Sequence, residues 1–348
     1  MKPRLLYSDV HFHSWDAFST YDSEGVNTRL IGQIEQLDRA YSTLLAAGGS
    51  IAYCAGDLFH VRGKISPSVL NPVLGFYRKW HKLGVETYCI SGNHDLETND
   101  STSSGSLITS LESVGVVAVT AENYVHEDVL MIPWMSSVSD LRKTLEHSAS
   151  TKDASKLHVI IHAPLDGVLT GIPAHGLTAD YLAKLGFKAV FCGHYHQHKS
   201  FGSAMFPQEV YSIGALTHQT WSDIGTKAGF IMLTDKGPIH HESTAPKFIE
   251  LPGDQDEWAD AVPGNYVRAS IDDPTAEDLA EVRQLLIDMG AKGVLISAVV
   301  TKASTAGVRT STVSLGTTEE SVSEYADEQG GKVLATECLS ILREVSSV

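Results

Sequence analysis

About the first 245 residues alternate short apolar runs with stretches in which apolar residues recur at helical spacing. The apolar runs predict buried strands at residues 5–7, 51–54, 85–90, 157–161 and 189–192. Helical spacing predicts a helix over residues 28–47, and a second helix begins at Ser66-Pro67 and ends before Gly84. This order of elements predicts βαβ units, and therefore an α/β fold with helices on the faces of a mainly parallel sheet.

A different pattern begins after residue 246. Proline, glycine and acidic residues dominate the segment that follows, which predicts a linker over residues 247–265. Strands are then predicted at 266–271 and 293–300, with helices at 275–289, 317–329 and 332–345. The predicted organisation is thus a large domain at 1–246, the linker, and a small α+β domain at 266–348.

Composition and charge narrow the classes of function. The 348 residues carry a formal net charge of −16, of which residues 247–348 contribute −10. This acidity argues against a protein that grips nucleic acid through its own charge. The 4 cysteines lack CxxC spacing, so they are predicted to be small buried residues and not zinc or disulfide cysteines. No apolar run is long enough for a membrane span or a signal peptide, which predicts a cytoplasmic protein.

Polar residues with metal-binding chemistry follow the predicted strands. They are Asp9, His11, Asp57, Asn93, His94, Asp95, His162, His194 and His196. Because the carboxyl ends of neighbouring strands lie along one edge of an α/β sheet, these side chains are expected to meet in one cleft.

The set provides ligands for two divalent ions. Carboxylate and imidazole without thiolate favour Mn²⁺, Fe²⁺ or Zn²⁺ over Ca²⁺. Asp57 is predicted to bridge the ions, because a carboxylate has two oxygens to share. The first ion is assigned Asp9, His11, Asp57 and His196, and the second Asp57, Asn93, His162 and His194.

His94 is left over from this assignment. An imidazole beside the ions can protonate the leaving oxygen of a phosphate ester, so His94 is predicted to be a general acid. Asp95 is predicted to orient its ring. The predicted reaction is therefore hydrolysis of a phosphate ester.

The five segments together resemble the motifs of the calcineurin-like metallophosphoesterases: D-x-H, G-D, G-N-H-D, a single H, and G-H-x-H. This resemblance covers residues 9–196 and implies a four-layer αββα sandwich around two metal ions. It also implies the same ligands, with His94 as the acid. The implied cofactor is a pair of Mn²⁺ ions, with Mg²⁺, Fe²⁺ or Zn²⁺ as alternatives.

A narrower resemblance concerns Gly56-Asp57-Leu58-Phe59-His60, which is similar to a motif of SbcD-type DNA nucleases. It implies a metal-dependent exo/endonuclease subunit that acts on DNA in recombination and repair, with an SMC-like (SbcC-type) ATPase as partner. Residues 319–327 resemble part of the small DNA-capping domain of those nucleases. The resemblance further implies that His60 positions the DNA backbone, and it admits a homodimer. The alternative is a phosphatase or phosphodiesterase that acts on a nucleotide or phosphoprotein, which the acidic surface favours.

Several neighbouring residues have both a structural and a functional interpretation. Trp15, Phe18 and Tyr21 follow the first motif, and packing over the core is favoured over stacking on a base. The other open positions are His13, Arg62, Lys64 and His218.

Overall fold

A computed structural model describes residues 2–98, 105–120, 123–202, 208–253 and 257–299, together with Thr336 and Leu339. The backbone separates into two compact units, residues 1–300 and 301–348. Almost all described residues belong to the first unit. The helices predicted at 317–329 and 332–345, and the capping-type motif at 319–327, lie outside the described residues apart from Thr336 and Leu339.

The regular elements of the first unit are as follows. The strands are β1 (Arg4–Tyr7), β2 (Ile51–Cys54), β3 (Glu86–Ile90), β4 (Val116–Val119), β5 (Tyr124–His126), β6 (Val129–Ile132), β7 (His158–His162), β8 (Ala189–Gly193), β9 (Lys199–Phe201), β10 (Glu209–Ser212), β11 (Gly229–Thr234), β12 (Gly237–Glu242), β13 (Phe248–Glu250), β14 (Tyr266–Asp272) and β15 (Gly293–Val299). The α-helices are α1 (Thr28–Ala46), α2 (Pro67–Lys82), α3 (Val138–Thr151), α4 (Ala179–Lys184), α5 (Trp258–Ala261) and α6 (Ala276–Asp288). Short 3₁₀ helices occupy Leu107–Val114, Ala154–Lys156 and Trp221–Asp223.

Two six-stranded sheets carry the five predicted strands. The first has the order β12-β11-β1-β2-β3-β4, and the second β5-β6-β7-β8-β10-β9. Strands β1 to β4 pair in parallel, as do β6, β7, β8 and β10. The predicted strands are therefore the parallel centres of both sheets, where both faces are buried.

The two sheets pack face to face, with helices on both outer faces. The core between them includes Leu6 and Tyr53 of the first sheet and Ile160 and Phe191 of the second. Helices α1 and α2 bury their apolar sides on the first sheet, and α3 and α4 cover the second. The predicted four-layer αββα sandwich is confirmed.

The local sequence explains why helix α1, which lies beside the site, forms. The side chain of Asn27 caps α1 by accepting hydrogen bonds from the backbone amides of Arg29 and Leu30. Leu30, Leu37 and Leu44 lie on the buried face. This packing holds α1 beside the segment that follows β1.

The segment after residue 246 is more regular than predicted. Strands β13, β14 and β15 form a parallel three-stranded sheet, packed with α5 and α6 around Trp258 and Leu286. The segment predicted as a linker therefore contains β13 and α5, because Phe248 and Trp258 are buried in this layer. The predicted domain boundaries remain a prediction. Strands β14 and β15 and helix α6 lie where strands and a helix were predicted.

Two further expectations concern composition. Cys54, Cys89 and Cys192 are buried free thiols, as predicted, and Cys338 lies outside the described residues. None of the helices that the structure describes has the length and apolar character that a bilayer crossing requires.

Candidate metal centre

The predicted metal-binding residues meet where strands of both sheets end. Asp9 and Asp57 follow β1 and β2 of the first sheet, while His162 ends β7 and His194 follows β8 of the second. The backbone amide of His194 donates to both carboxylate oxygens of Asp9, at 3.0 and 3.2 Å. The centre is therefore built across the junction of the two sheets, and the Asp9–His194 contact joins residues 185 positions apart in sequence.

Two groups of side chains could each hold a metal ion. In each group the ligand atoms lie within 4.8 Å of one another. The groups are Asp9, His11 and His196, and Asp57, His162 and His194. Each group consists of three of the four residues in one predicted ligand set, without Asp57 in the first and without Asn93 in the second, and ligation itself remains a proposal.

Asp57 belongs to the second group and also lies close to His11 of the first. Its Oδ2 is 3.6 Å from His11 Nε2 and 3.4 Å from His162 Nε2. Asn93 Oδ1 lies 3.2 Å from His162 Nε2 and 3.0 Å from His194 Nδ1, which places it with the second group. The geometry is compatible with Asp57 as a shared ligand and Asn93 as a ligand of the second ion.

Three of these residues have a left-handed backbone conformation. Asp9, His11 and Asp57 have φ values of 50°, 48° and 51°. Non-glycine residues adopt this region infrequently, and its occurrence at functional sites is well known. The neighbouring strand end of the second sheet approaches so closely that a Cβ at Gly193 would lie 2.2 Å from Ser8 Oγ.

Hydrogen bonds fix the tautomers of two histidines. His162 Nδ1 donates to the backbone carbonyl of Ala55 at 2.7 Å, and His196 Nδ1 donates to Asp223 Oδ1 at 2.7 Å. In each ring the Nε2 lone pair is thus left for a cation, which is the arrangement that metal-binding histidines need. These donor atoms fit a pair of divalent ions.

The charged side chains at the centre also favour a bound cation. Burial alone would raise the pKa of Asp57, but His162 and His11 lower it well below its ordinary value. Burial would lower the pKa of His162, but Asp57 raises it to about 10. The anionic Asp57 therefore draws a positive charge to this point, either a proton on His162 or a metal cation.

Asp223 is a site residue that the sequence interpretation missed. Its carboxylate is buried and also accepts from the backbone amides of Gln219 and Thr220. Thr220 and Asp223 form a reciprocal capping box at the start of the 3₁₀ helix. The T-x-x-D spacing was the available signal, but nothing in the sequence joined it to His196.

His94 is held beside Asp57. Its backbone amide donates to Asp57 Oδ1 at 2.8 Å, and its Nδ1 donates to the carbonyl of His60 at 2.7 Å. Its Nε2 is therefore the ring atom left for a substrate. The orienting contact comes from the His60 carbonyl and not from Asp95, so the role predicted for Asp95 is corrected.

Asp95 instead accepts hydrogen bonds from the backbone. Its buried carboxylate accepts from the backbone amides of Phe59 at 3.0 Å and Gly92 at 2.8 Å, with a longer contact from Leu58 at 3.3 Å. Burial and the nearby Asp57 raise the pKa of Asp95 to about 7. Asp95 thus joins the two loops that carry Asp57 and Asn93, and acts on the site through their backbone.

His60 lies against the first ligand group. Its ring stacks on His94 with centroids 5.6 Å apart, and its Nδ1 is 3.4 Å from His11 Nδ1. Burial, followed by His13 and His94, lowers the pKa of His60 to about 4. His11, His60 and His94 also form a third cluster whose ring nitrogens lie within 4.8 Å of one another.

The four remaining open positions differ in their contacts. The His13 ring lies 5.0 Å from that of His60, and Arg62 Nε donates to the Asn93 carbonyl at 2.9 Å. His218 Nδ1 accepts from the amide of Phe248 at 3.2 Å, which is a structural contact. Lys64 is exposed.

A family model described as calcineurin-like phosphoesterase matches residues 3–198, more than half of the chain. The chain belongs to this family. Its members use two divalent metal ions, in agreement with the two ligand groups. No curated protein sequence matches this phosphoesterase.

Solved structures similar to this phosphoesterase cover several activities. A dimetal phosphatase from Danio rerio is 10% identical, with a TM-score of 0.44, covering 66% of this chain and 91% of that one. Nuclease MPE from Pseudomonas putida is 19% identical, with a TM-score of 0.29, covering 56% and 62%. Phosphopantetheinyl hydrolase from Mycobacterium tuberculosis is 12% identical, with a TM-score of 0.36, covering 61% and 88%.

Two cavities adjoin the metal centre of this phosphoesterase. The first, here the Trp15 cavity, has a volume of about 650 Å³, and the Trp15 ring lies 4.5 Å from that of His60. The second, the Trp134 cavity, has a volume of about 910 Å³, and Trp134 stacks on His194 with centroids 5.3 Å apart. The Trp15 ring thus lies between the first cavity and His60, and the Trp134 ring lies between the second cavity and His194 of the second ligand group.

Proposed function

We propose that this phosphoesterase is a metal-dependent phosphodiesterase acting on DNA, an SbcD-like exo/endonuclease subunit used in recombination and repair. The observation that carries this proposal is the pair of cavities beside the centre. A phosphodiester has a substituent on each side of its phosphate, whereas a monoester has one. A cavity next to each ligand group supports a substrate that extends in both directions.

The side chains have distinct parts in this reaction. A pair of bound divalent ions would polarise the phosphate and make water a stronger nucleophile at neutral pH. Asp9, His11, Asp57 and His196 would hold one ion, and Asp57, Asn93, His162 and His194 the other. His94 would deliver a proton from Nε2 to the leaving oxygen, held in place through its Nδ1 by His60.

Charge supports the proposed partner. A chain with a net charge of −16 repels a polyanion outside its immediate metal site. An SMC-like ATPase that grips the DNA would overcome this, and we propose such a subunit as the partner, with a homodimer of this chain as one assembly. The proposed setting is the cytoplasm.

The test compares a diester with a monoester. Purified protein with Mn²⁺ is expected to hydrolyse bis-p-nitrophenyl phosphate faster than p-nitrophenyl phosphate and to cleave DNA. Asp57→Ala should abolish both activities because it removes the shared ligand, whereas Asp235→Ala removes an exposed carboxylate and should not. DNA left uncut by the wild type, with and without a co-encoded ATPase, would refute the nuclease assignment.

The acidic surface favours one other function. A nucleotide or phosphoprotein phosphatase does not need to bind a long polyanion. Faster hydrolysis of p-nitrophenyl phosphate than of the diester would support this second candidate.

A further inference from the structure

The Trp15 cavity has walls from several parts of the chain, three of which carry its aromatic and charged side chains. The segment after β1 contributes Trp15 and Phe18, helix α1 contributes Arg29 and Gln33, and the three-stranded sheet contributes Tyr266 from β14, next to Lys292 before β15. Its volume of about 650 Å³ is within the range of small-molecule sites. The wall is therefore aromatic and carries two cations, Arg29 and Lys292, and one carboxylate, Glu35.

Arg29 is a buried cation in this wall. It is only 7% exposed, and its guanidinium lies 5.0 Å from the Trp15 ring centroid and 5.4 Å from that of Tyr266. Its hydrogen bonds go to the backbone carbonyls of Ala17 and Gln219. In the part of the chain that the structure describes, no carboxylate forms an ion pair with it. Burial lowers the pKa of Arg29, and Tyr266 and Asp223 partly offset this. The guanidinium thus has a carboxylate nearby but none paired with it, and an anionic ligand would form that pair.

Two buried polar atoms of the wall residues have no hydrogen-bond partner in the structure. They are the indole Nε1 of Trp15, a donor, and the amide Oε1 of Gln33, an acceptor. Gln33 is 4% exposed, and an unpaired buried polar group destabilises the fold unless something pairs with it. Neither atom has appreciable accessible surface, so recognition of a base in the cavity depends on the aromatic rings and not on these two groups.

The cavity shares its wall with the metal centre. Trp15 contacts His60, which stacks on His94. On the other side, Gln33 Nε2 donates to the backbone carbonyl of Val10 at 2.7 Å and of His11 at 3.1 Å. Trp15 and Gln33 thus stand between an occupant of the cavity and the residues of the metal centre.

We propose that the Trp15 cavity binds one nucleotide unit, with its base against Trp15 and Phe18 and its phosphate near Arg29 and Lys292. The nucleotide is the one adjoining the scissile phosphate of a DNA strand. Assigning it to the substrate strand rests on the proposed function, whereas nucleotide binding by itself does not. The aromatic segment predicted to pack over the core thus also lines a ligand site.

Binding to the full chain in EDTA tests this proposal, because no hydrolysis is needed. Isothermal titration would compare the octamer of thymidylate with free dTMP. Trp15→Ala should weaken octamer binding by about tenfold, the size expected for loss of a base-stacking ring. Lys292→Glu should weaken it severalfold, whereas Lys236→Glu makes the same charge change at an exposed turn and should not.

Trp15→Phe keeps a smaller aromatic ring without the indole donor, and gives a second measurement if the alanine variant does not fold. Its binding should lie between those of the wild type and Trp15→Ala. With Mn²⁺, the Trp15 and Lys292 variants should lose more activity on an oligonucleotide than on bis-p-nitrophenyl phosphate, which has no base.

Equal octamer binding by the wild type and the cavity variants would overturn the proposal. Binding of dTMP as tight as that of the octamer would assign the cavity to a free nucleotide and overturn the strand assignment. If the wild type binds the octamer through these residues but leaves DNA uncut with Mn²⁺, the proposed function fails and the cavity assignment stands.

Discussion

Asp223 shows how one carboxylate outside the sequence motifs controls a ligand. It accepts from His196 Nδ1 and, through its other oxygen, from two backbone amides, so it can hold the imidazole in one orientation. Burial would raise the pKa of Asp223, but His196 lowers it, so the carboxylate stays charged. Asp223 is therefore a positioning residue for one of the two ions.

Removing this carboxylate should weaken one metal site and spare the other. In Asp223→Ala, affinity for the ion held by Asp9, His11 and His196 is expected to fall about 10- to 100-fold. The affinity of Asp223→Asn for this ion should lie between those of the wild type and Asp223→Ala, because the asparagine amide oxygen can still accept from His196. Titration of Mn²⁺ resolves the two sites, with Asp235→Ala as the control. Equal loss at both sites would indicate general unfolding and contradict the assignment.

His158 is a buried histidine away from the ligands. Its side chain is 4% exposed, and neither ring nitrogen has a hydrogen-bond partner in the structure. Burial, and then Lys188, lowers its pKa to about 4, since Asp128 at 3.9 Å is too distant to compensate. The folded protein therefore resists protonation that the unfolded chain accepts.

This residue should make stability fall in mild acid. Because the folded pKa is below the unfolded one, its contribution is complete above pH 6.5 and is lost as the pH falls toward 4. Between pH 7.5 and 5 the free energy of unfolding should drop by about 2 kcal/mol from this residue. Urea unfolding should show that the free energy of unfolding of His158→Leu falls less over this pH range than that of the wild type. The control variant His147→Leu, which changes an exposed histidine, should show the same fall as the wild type. Identical pH dependence in all three proteins would contradict this account.

At the scale of elements, the site depends on how closely strand ends of different sheets approach. The end of β8 abuts residues next to β1 and β2, where a Cβ on Gly193 would lie 2.2 Å from Ser8 Oγ and 2.3 Å from the Ala55 carbonyl. Gly75, exposed in α2, has no atom within 4 Å of an added Cβ. Gly193 thus permits a close approach of two strand ends, whereas Gly75 has room for a side chain.

Alanine substitution separates these roles. Gly193→Ala should lower the free energy of unfolding by roughly 1–3 kcal/mol or more, because rigid backbone must move apart, and should weaken metal binding. Gly75→Ala should raise it by about 0.5–1 kcal/mol, because alanine favours helix. Urea midpoints measure both changes. A tolerated Gly193→Ala would mean that the two sheets do not meet as described.

The elements that could be predicted are those with buried surroundings on all sides. Strands such as β7 and β8 have continuous apolar runs because helices cover one face and the other sheet covers the second. The edge strand β12 reads Gly-Pro-Ile-His-His-Glu, and pairing with β11 makes it a strand despite that composition. Such strands depend on their neighbours, so local sequence gives little indication of them.

At the scale of the whole molecule, the ligand set could be predicted because chemistry limits the residue types and strand order brings them together. The contacts that surround these ligands could not be predicted from the sequence. Asp95 lies inside a motif and bonds backbone amides, whereas Asp223 lies 27 residues from His196 and bonds its imidazole as well as backbone amides. Only three-dimensional packing decides this difference. The Trp15 cavity likewise joins residues from 15 to 292, which no local pattern connects.

The left-handed backbone at Asp9, His11 and Asp57 bears on how variants of this protein should be selected. Such conformations are unfavourable for non-glycine residues by on the order of 1 kcal/mol each. Glycine at these positions would relax the chain while deleting a ligand. A library ranked only by resistance to heat would therefore enrich for inactive clones, and directed evolution of this scaffold needs a selection for turnover from its first round.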